Sequence, residues 1–230
     1  MFIPIVLPKG GDLVYNRRDA IVGGRRVPIT RVPISPERFQ SGLTFQEFVR
    51  QADLNRERLE RVYREIELPD EVVQAFQSLP EPLKAVVISE DWAADAVVSL
   101  PLLVRLAEAS RGKLEVRIFP RDKNMDLMNL YLKEGKYQSI PVFVFFDDGL
   151  QRQVGFCQER PASLNAMHKE VVDRFVQLHP HLKEAMALPP ADRPEDVKRV
   201  YRGWVSEQFA QRRQEIEVEV IKELRQVLGV

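Results

Sequence analysis

The sequence predicts an α/β chain: a mixed β-sheet flanked by helices, with helical N- and C-terminal extensions. Two observations carry this. First, short apolar, β-rich runs alternate with segments of helical periodicity between about residues 84 and 178, in the order β-α-β-α-β-β-α. Second, Asp147-Asp148-Gly149 separates two of the strand-like runs, the signature of a tight hairpin. Such an alternation builds a sheet that buries its faces under helices.

The elements follow in chain order. Residues 1–43 read as an extended basic arm. Val27-Pro28, Val32-Pro33, Ser35-Pro36 and Gly23-Gly24 oppose regular structure there. The apolar Ile21, Val22, Ile29 and Ile34 indicate that the arm packs on something. Residues 44–80 read as N-terminal helices. Thr44 to Glu47 has the spacing of a capping box, and Phe45, Phe48, Val49, Ala52, Leu59, Val62, Tyr63 and Ile66 recur at helical spacing. Leu68-Pro69 ends that helix, and Asp70 caps a shorter one.

Residues 81–180 form the expected core. Lys84 to Ser89 reads as a strand, Ala94 to Ala109 as a helix containing Pro101, and Leu114 to Phe119 as a strand. Asn124 to Glu134 reads as a helix stopped by Gly135, and Pro141 to Phe146 as a buried strand. Gln151 to Phe156 is the return strand, followed by a helix capped by Ser163. Residues 181–230 are a C-terminal helical extension. Pro180, Pro189, Pro190 and Pro194 mark a linker before one long helix, whose apolar stripe (Val197, Tyr201, Trp204, Val205, Phe209, Ile216, Val220, Leu224, Leu228) must pack on the core or on another subunit.

Composition narrows the function classes. With 44% hydrophobic and 30% charged residues and a formal net charge of zero, nothing in the bulk electrostatics calls for a nucleic-acid partner. The arm is locally basic, with seven Lys/Arg against three acids in residues 1–40. The longest apolar run is too short to span a bilayer, so no membrane partner is expected. The segment MFIPIVLPKGG lacks the basic start of a signal peptide, and a cytoplasmic location is expected by default. The single cysteine, Cys157, excludes an intrachain disulfide. His168, His179 and His181 lack a third ligand at metal spacing, so neither a metal nor another cofactor is expected. Tyr131 and Tyr137 read as surface residues.

One stretch concentrates the functional question: Val86-Val-Ile-Ser-Glu-Asp-Trp-Ala-Ala-Asp-Ala96 runs from a strand into a helix with a tryptophan at the junction. This resembles the thioredoxin-like superfamily, in which a strand is followed by W-C-G-P-C and a helix with a proline five residues after the second cysteine. Trp92-Ala93-Ala94-Asp95-Ala96 stands at the motif, and Pro101 lies five residues on. Ile140-Pro141 stands where the family has a cis-proline opening a strand, and Val154-Gly155 where its return strand ends. Asp95 fits a bacterial subgroup with W-C-x-D. The resemblance covers about residues 80–178 and implies a thioredoxin fold with a peptide groove at Trp92, Ile140, Pro141 and Gly155.

The departures bear on activity. Both positions matching the family's cysteines are alanine, Ala93 and Ala96, and the position of its buried carboxylate is Val87. Thiol–disulfide exchange needs a thiolate, so no catalytic residue is expected; whether the chain is an enzyme stays open, leaning to no for the sequence as it stands, with thiol–disulfide oxidoreduction as the activity of a native form that is active. Asp91 and Asp95 fall at the helix N-terminus, where capping and first-turn charge account for them. The leading expectation is a redox-inactive protein that binds a peptide or protein partner through Trp92 and Ile140-Pro141. One alternative is a thiol–disulfide oxidoreductase family member whose cysteine at position 93 has been lost or replaced. The other is a structural protein that forms a homo-oligomer through the C-terminal helix or the N-terminal arm.

Overall fold

The computed structural model describes residues 34–230, together with the backbone of three short strands before them. Those strands, β1 (Val14–Asn16), β2 (Asp19–Val22) and β3 (Arg25–Pro28), pair antiparallel in the order β1-β2-β3. The arm was expected to lack regular structure, and at these positions it has it. Pro28 stands at the end of the edge strand β3, the position in a sheet that tolerates proline. The packing expected of Ile21, Val22 and Ile29 lies outside the described residues. Ile34 is buried in the core.

Ser35-Pro36, expected to be extended, opens helix α1 (Pro36–Gln40). Ser35 Oγ accepts the Arg38 N–H at 3.1 Å. The proline stands in the first helical turn, where an N–H would be unbonded anyway. The capping box is present at the start of α2 (Phe45–Gln51), where Thr44 and Glu47 bond reciprocally. The single helix expected from 44 to 66 is two, α2 and α3 (Arg56–Glu65). Between them Ala52 turns extended, and the N–H groups of Asp53 and Leu54 donate to the Asp91 carboxylate instead of continuing the helix. Next comes α4 (Asp70–Gln77), whose N-cap is Pro69, with Asp70 inside the first turn.

The central sheet has the order β5-β4-β6-β7, built from β4 (Leu83–Ser89), β5 (Leu114–Pro120), β6 (Val142–Asp147) and β7 (Gln153–Gln158). β4 pairs parallel with β5 and antiparallel with β6, which pairs antiparallel with β7. The parallel pair requires a crossover, supplied by α5 (Ala96–Ala109). Apolar on nearly every side, α5 is buried from Ala96 to Val104, Pro101 included. It is enclosed by α3, α4 and two C-terminal helices, α9 (Glu195–Gln211) and α10 (Arg213–Leu228), as well as the sheet, as an all-round apolar helix must be. The helix expected from Asn124 to Glu134 is only α6 (Met125–Met128). The chain then turns through Glu134 and Gly135 at positive φ. Tyr131 is buried, not at the surface, and donates its hydroxyl to Gln153 Oε1 at 3.0 Å.

After β7 a 3-10 turn (Ala162–Leu164) leads into α7 (Asn165–Leu178). Ser163, expected as its cap, lies in that turn and donates to Glu219 at 2.7 Å. The linker contains α8 (Lys183–Ala187). The long last helix is broken at Arg212 into α9 (Glu195–Gln211) and α10 (Arg213–Leu228). The break falls at the polar Gln211-Arg212-Arg213 interruption of the stripe and lets each half follow a different surface. Phe175, Met186 and Val197 join α7, α8 and α9 in a small second core, with Tyr201 and Trp204 packed on it. Ile216, Val220, Leu224 and Leu228 of α10 belong to the main core. Among the described residues, no helix is long and apolar enough to cross a membrane.

Candidate functional site

The loop after β4 places Trp92 to Asp95 at the start of α5. Ala93 and Ala96 are both buried, at 5% and 2% exposure. The Ile140–Pro141 peptide bond is cis. Trp92, Ala93, Ala94, Asp95 and Ile140 line one cavity of about 220 Å³, so two of the four predicted groove residues, Trp92 and Ile140, meet there. The rest of the wall comes from residues not expected at the groove: His168 of α7, Pro190 and Arg193 of the linker, and Lys198, Tyr201, Arg202 and Val205 of α9. The C-terminal extension thus lies across the groove.

Gly155 does not join them. The return strand runs on to Gln158, which pairs with Val142, and the Glu159 N–H donates to the Pro141 carbonyl at 2.7 Å. The residues beside the cis-proline are therefore Gln158 and Glu159. Gly155 is opposite Phe145 in mid-strand, under α10: a Cβ there would stand 2.7 Å from Val227 Cγ1. The glycine permits close helix–strand approach and belongs to packing.

The two aspartates also differ from expectation, since neither caps α5. Asp91 Oδ2 accepts from the Asp53 and Leu54 N–H groups at 2.6 and 2.7 Å, and its carbonyl accepts from the buried Asn55 amide at 2.8 Å. It therefore fixes the α2–α3 turn against the site. Asp95 occupies the N-cap position without a capping bond and pairs with Arg160 at 2.5 Å, both side chains more than four-fifths buried. Burial pushes the Asp95 carboxyl up, and the Arg160 guanidinium opposes that rise. Asp95 Oδ1 and Arg160 Nε are buried without a hydrogen-bond partner among the described residues.

Trp92 is half-buried and packs on the core. Its ring carries two guanidinium groups, Arg202 at 4.0 Å and Arg121 at 4.9 Å. Stacking of this kind suits arginine's planar, weakly hydrated cation. Burial lowers the pKa of Arg202, and Arg121 contributes in the same direction. His168 is depressed to about 4 by burial, with Arg160 adding to the effect, so it is neutral at neutral pH. Cys157, inside β7, is buried. Burial raises its thiol well above the usual range, with Glu223 adding to the rise. Such a thiol is neither a nucleophile nor an easily oxidised group. Among the described residues no cluster of three His, Cys, Asp or Glu could hold a metal.

Arg160, His168, Tyr201 and Arg202 could not be found from sequence because no local motif holds them. The available signals were the aromatic-basic run Tyr201-Arg202-Gly203-Trp204, which fits a packing stripe equally well, and Arg160 just past the return strand.

The family model described as thioredoxin matches residues 42–173. No curated protein matches the chain. Among solved structures, an HIV epitope scaffold is 15% identical with a TM-score of 0.56, over 85% of this chain and 98% of its own. A protein of unknown function from Pseudomonas aeruginosa is 17% identical with a TM-score of 0.48, over 78% of this chain and 99% of its own. The scaffold's likeness shows the shared fold alone.

Proposed function

The chain belongs to the thioredoxin family, and from that premise we propose that it is a binding member of the family: a protein that captures an extended peptide segment of a partner beside Trp92 and Ile140-Pro141, without thiol chemistry. The observation that carries this reading is the pair of buried alanines, Ala93 and Ala96, at the start of α5 beside a retained aromatic and a lined cavity. Disulfide exchange needs an attacking thiolate, and the chain's one cysteine is held neutral inside the sheet. The recognition elements, by contrast, remain. Among the described residues the backbone N–H and C=O of Ile140 have no hydrogen-bond partner. An extended segment satisfies such groups by adding as a strand, while its side chains use adjoining pockets.

Two measurements test the reading. Catalysed reduction of a disulfide substrate should be indistinguishable from the buffer rate; real turnover would refute the absence of redox chemistry. Binding of a panel of labelled extended peptides should be detectable and weakened about tenfold or more by Trp92→Ala. Unchanged affinity in a folded variant would place recognition elsewhere.

A further inference from the structure

We infer that the cavity beside Trp92 receives an acidic side chain of the captured peptide, with Arg202 as the group that takes its carboxylate. This rests on the peptide-groove function proposed for the chain and adds the chemistry of the partner.

The cavity's charges are unevenly matched. Asp95 is neutralised by Arg160 at 2.5 Å. Of the three cations in the lining, two are committed to their own surroundings. Arg193 Nε donates to the Leu188 carbonyl at 3.1 Å. Lys198 Nζ donates to the Ala191 carbonyl at 2.9 Å and to Glu195 at 2.7 Å. Arg202 stacks on Trp92, yet among the described residues its guanidinium makes no hydrogen bond or ion pair. The acids whose charges reach it are engaged elsewhere: Asp122 with Arg121 at 2.7 Å, Glu195 with Lys198, and Asp91 with the α2–α3 turn. A part-exposed guanidinium with no protein partner keeps its five donors free for a ligand, and a carboxylate is the group that best fits its planar fork.

The remaining geometry favours a peptide over a free anion. Trp92, Ile140 and Val205 give the cavity apolar walls for a methylene stem, and about 220 Å³ suits a side chain rather than a chain segment. Ile140 offers backbone groups for a strand. One extended segment can use both, with its acidic side chain on Arg202.

The experiment is fluorescence polarisation with three pools of labelled heptapeptides that differ only at a fixed central residue, Glu, Gln or Lys. They are measured against the full chain and its Arg202→Gln and Arg202→Lys variants, each checked for folding by circular dichroism. The wild type should bind the Glu pool about tenfold more tightly than the Gln pool, the worth of a charge-assisted bond. Arg202→Gln should abolish that preference, and Arg202→Lys, which keeps the charge but not the planar fork, should keep only part of it. Equal binding of the Glu and Gln pools, or a preference that survives Arg202→Gln, would overturn the acidic subsite and leave the groove standing. Absence of binding by all three pools would overturn both.

Discussion

Both halves of the C-terminal extension pack on the core, α9 through Val205, Phe209 and Ala210, but they differ over the start of α5 and over β7. α10 presses on β7 so closely that Gly155 has no room for a side chain beneath Val227, and it contributes Ile216, Val220, Leu224 and Leu228 to the core. α9 meets the start of α5 with Lys198, Tyr201, Arg202 and Val205 and leaves a cavity there. Dense apolar packing stabilises. The incompletely filled contact between α9 and the start of α5 contributes less there. One extension therefore packs densely along α10 and leaves a cavity beside the N-terminal part of α9.

The sharpest way to break this contrast is to cut into the densely packed half. Leu224→Ala, at 1% exposure, should cost about 2–5 kcal/mol in urea unfolding, the usual range for a buried leucine that leaves a cavity. A loss below 1 kcal/mol would mean that α10 is a loose appendage.

The pH dependence of stability separates the halves next, because their titrating groups act in opposite directions. On α10, burial raises Glu223 to about 7. The folded state then holds a proton the unfolded state has released, so this group's contribution is full below the ordinary carboxylate range and is lost as pH rises to about 7. Its size is on the order of 2–3 kcal/mol, and Glu223→Gln should abolish that fall. Beside α9, His168 is lowered to about 4. There the unfolded state binds the extra proton, so stability rises from about pH 4 to the ordinary histidine range. Discounted for partial exposure, the effect is on the order of 1–2 kcal/mol, and His168→Gln should remove it. Urea titrations from pH 4 to 8 check both, and slopes of the same sign would contradict the assignment.

A smaller effect sharpens the account of Gly155. Gly155→Ala should cost about 1–3 kcal/mol by overpacking, and Val227→Ala in the same chain should recover most of it. A double mutant no more stable than Gly155→Ala would show that the glycine serves something other than α10. The smallest effect lies on α9. Glu207 pairs with Arg58 at 2.9 Å and Arg61 at 3.1 Å, all three partly exposed. Glu207→Gln should cost about 0.2–1 kcal/mol, as half-exposed pairs do, a loss that high salt should shrink.

Legibility in the sequence followed the range of the interactions. β4, α5, β5, β6 and β7 were readable because each has its own apolar run, and the Thr44–Glu47 box because both partners lie within one turn. The strand–helix junction at Trp92 was readable because the motif is local. What was missed is held by distant parts of the chain. Asp91 looked like a cap because its partners lie 37 and 38 residues upstream. Asp95 looked like a cap because Arg160 is 65 residues away. Ser35-Pro36 was misread for a different reason: the same dipeptide opens a helix or extends a strand, and only the residues after it decide. The cover over the groove was invisible because Tyr201, Trp204 and Val205 fit a packing stripe as well as a site wall.

Asn55 has a consequence for how the protein is made. Its amide is fully buried and donates to Asp91 and to Ser206, the latter 151 residues further along. On a chain leaving the ribosome N-terminus first, α3 and the sheet can assemble while α9 is still unsynthesised. Until Ser206 emerges, one amide hydrogen of Asn55 has water as its only partner, and the surface that α9 will cover stays wet. Closure of this part of the nascent fold therefore waits on α9.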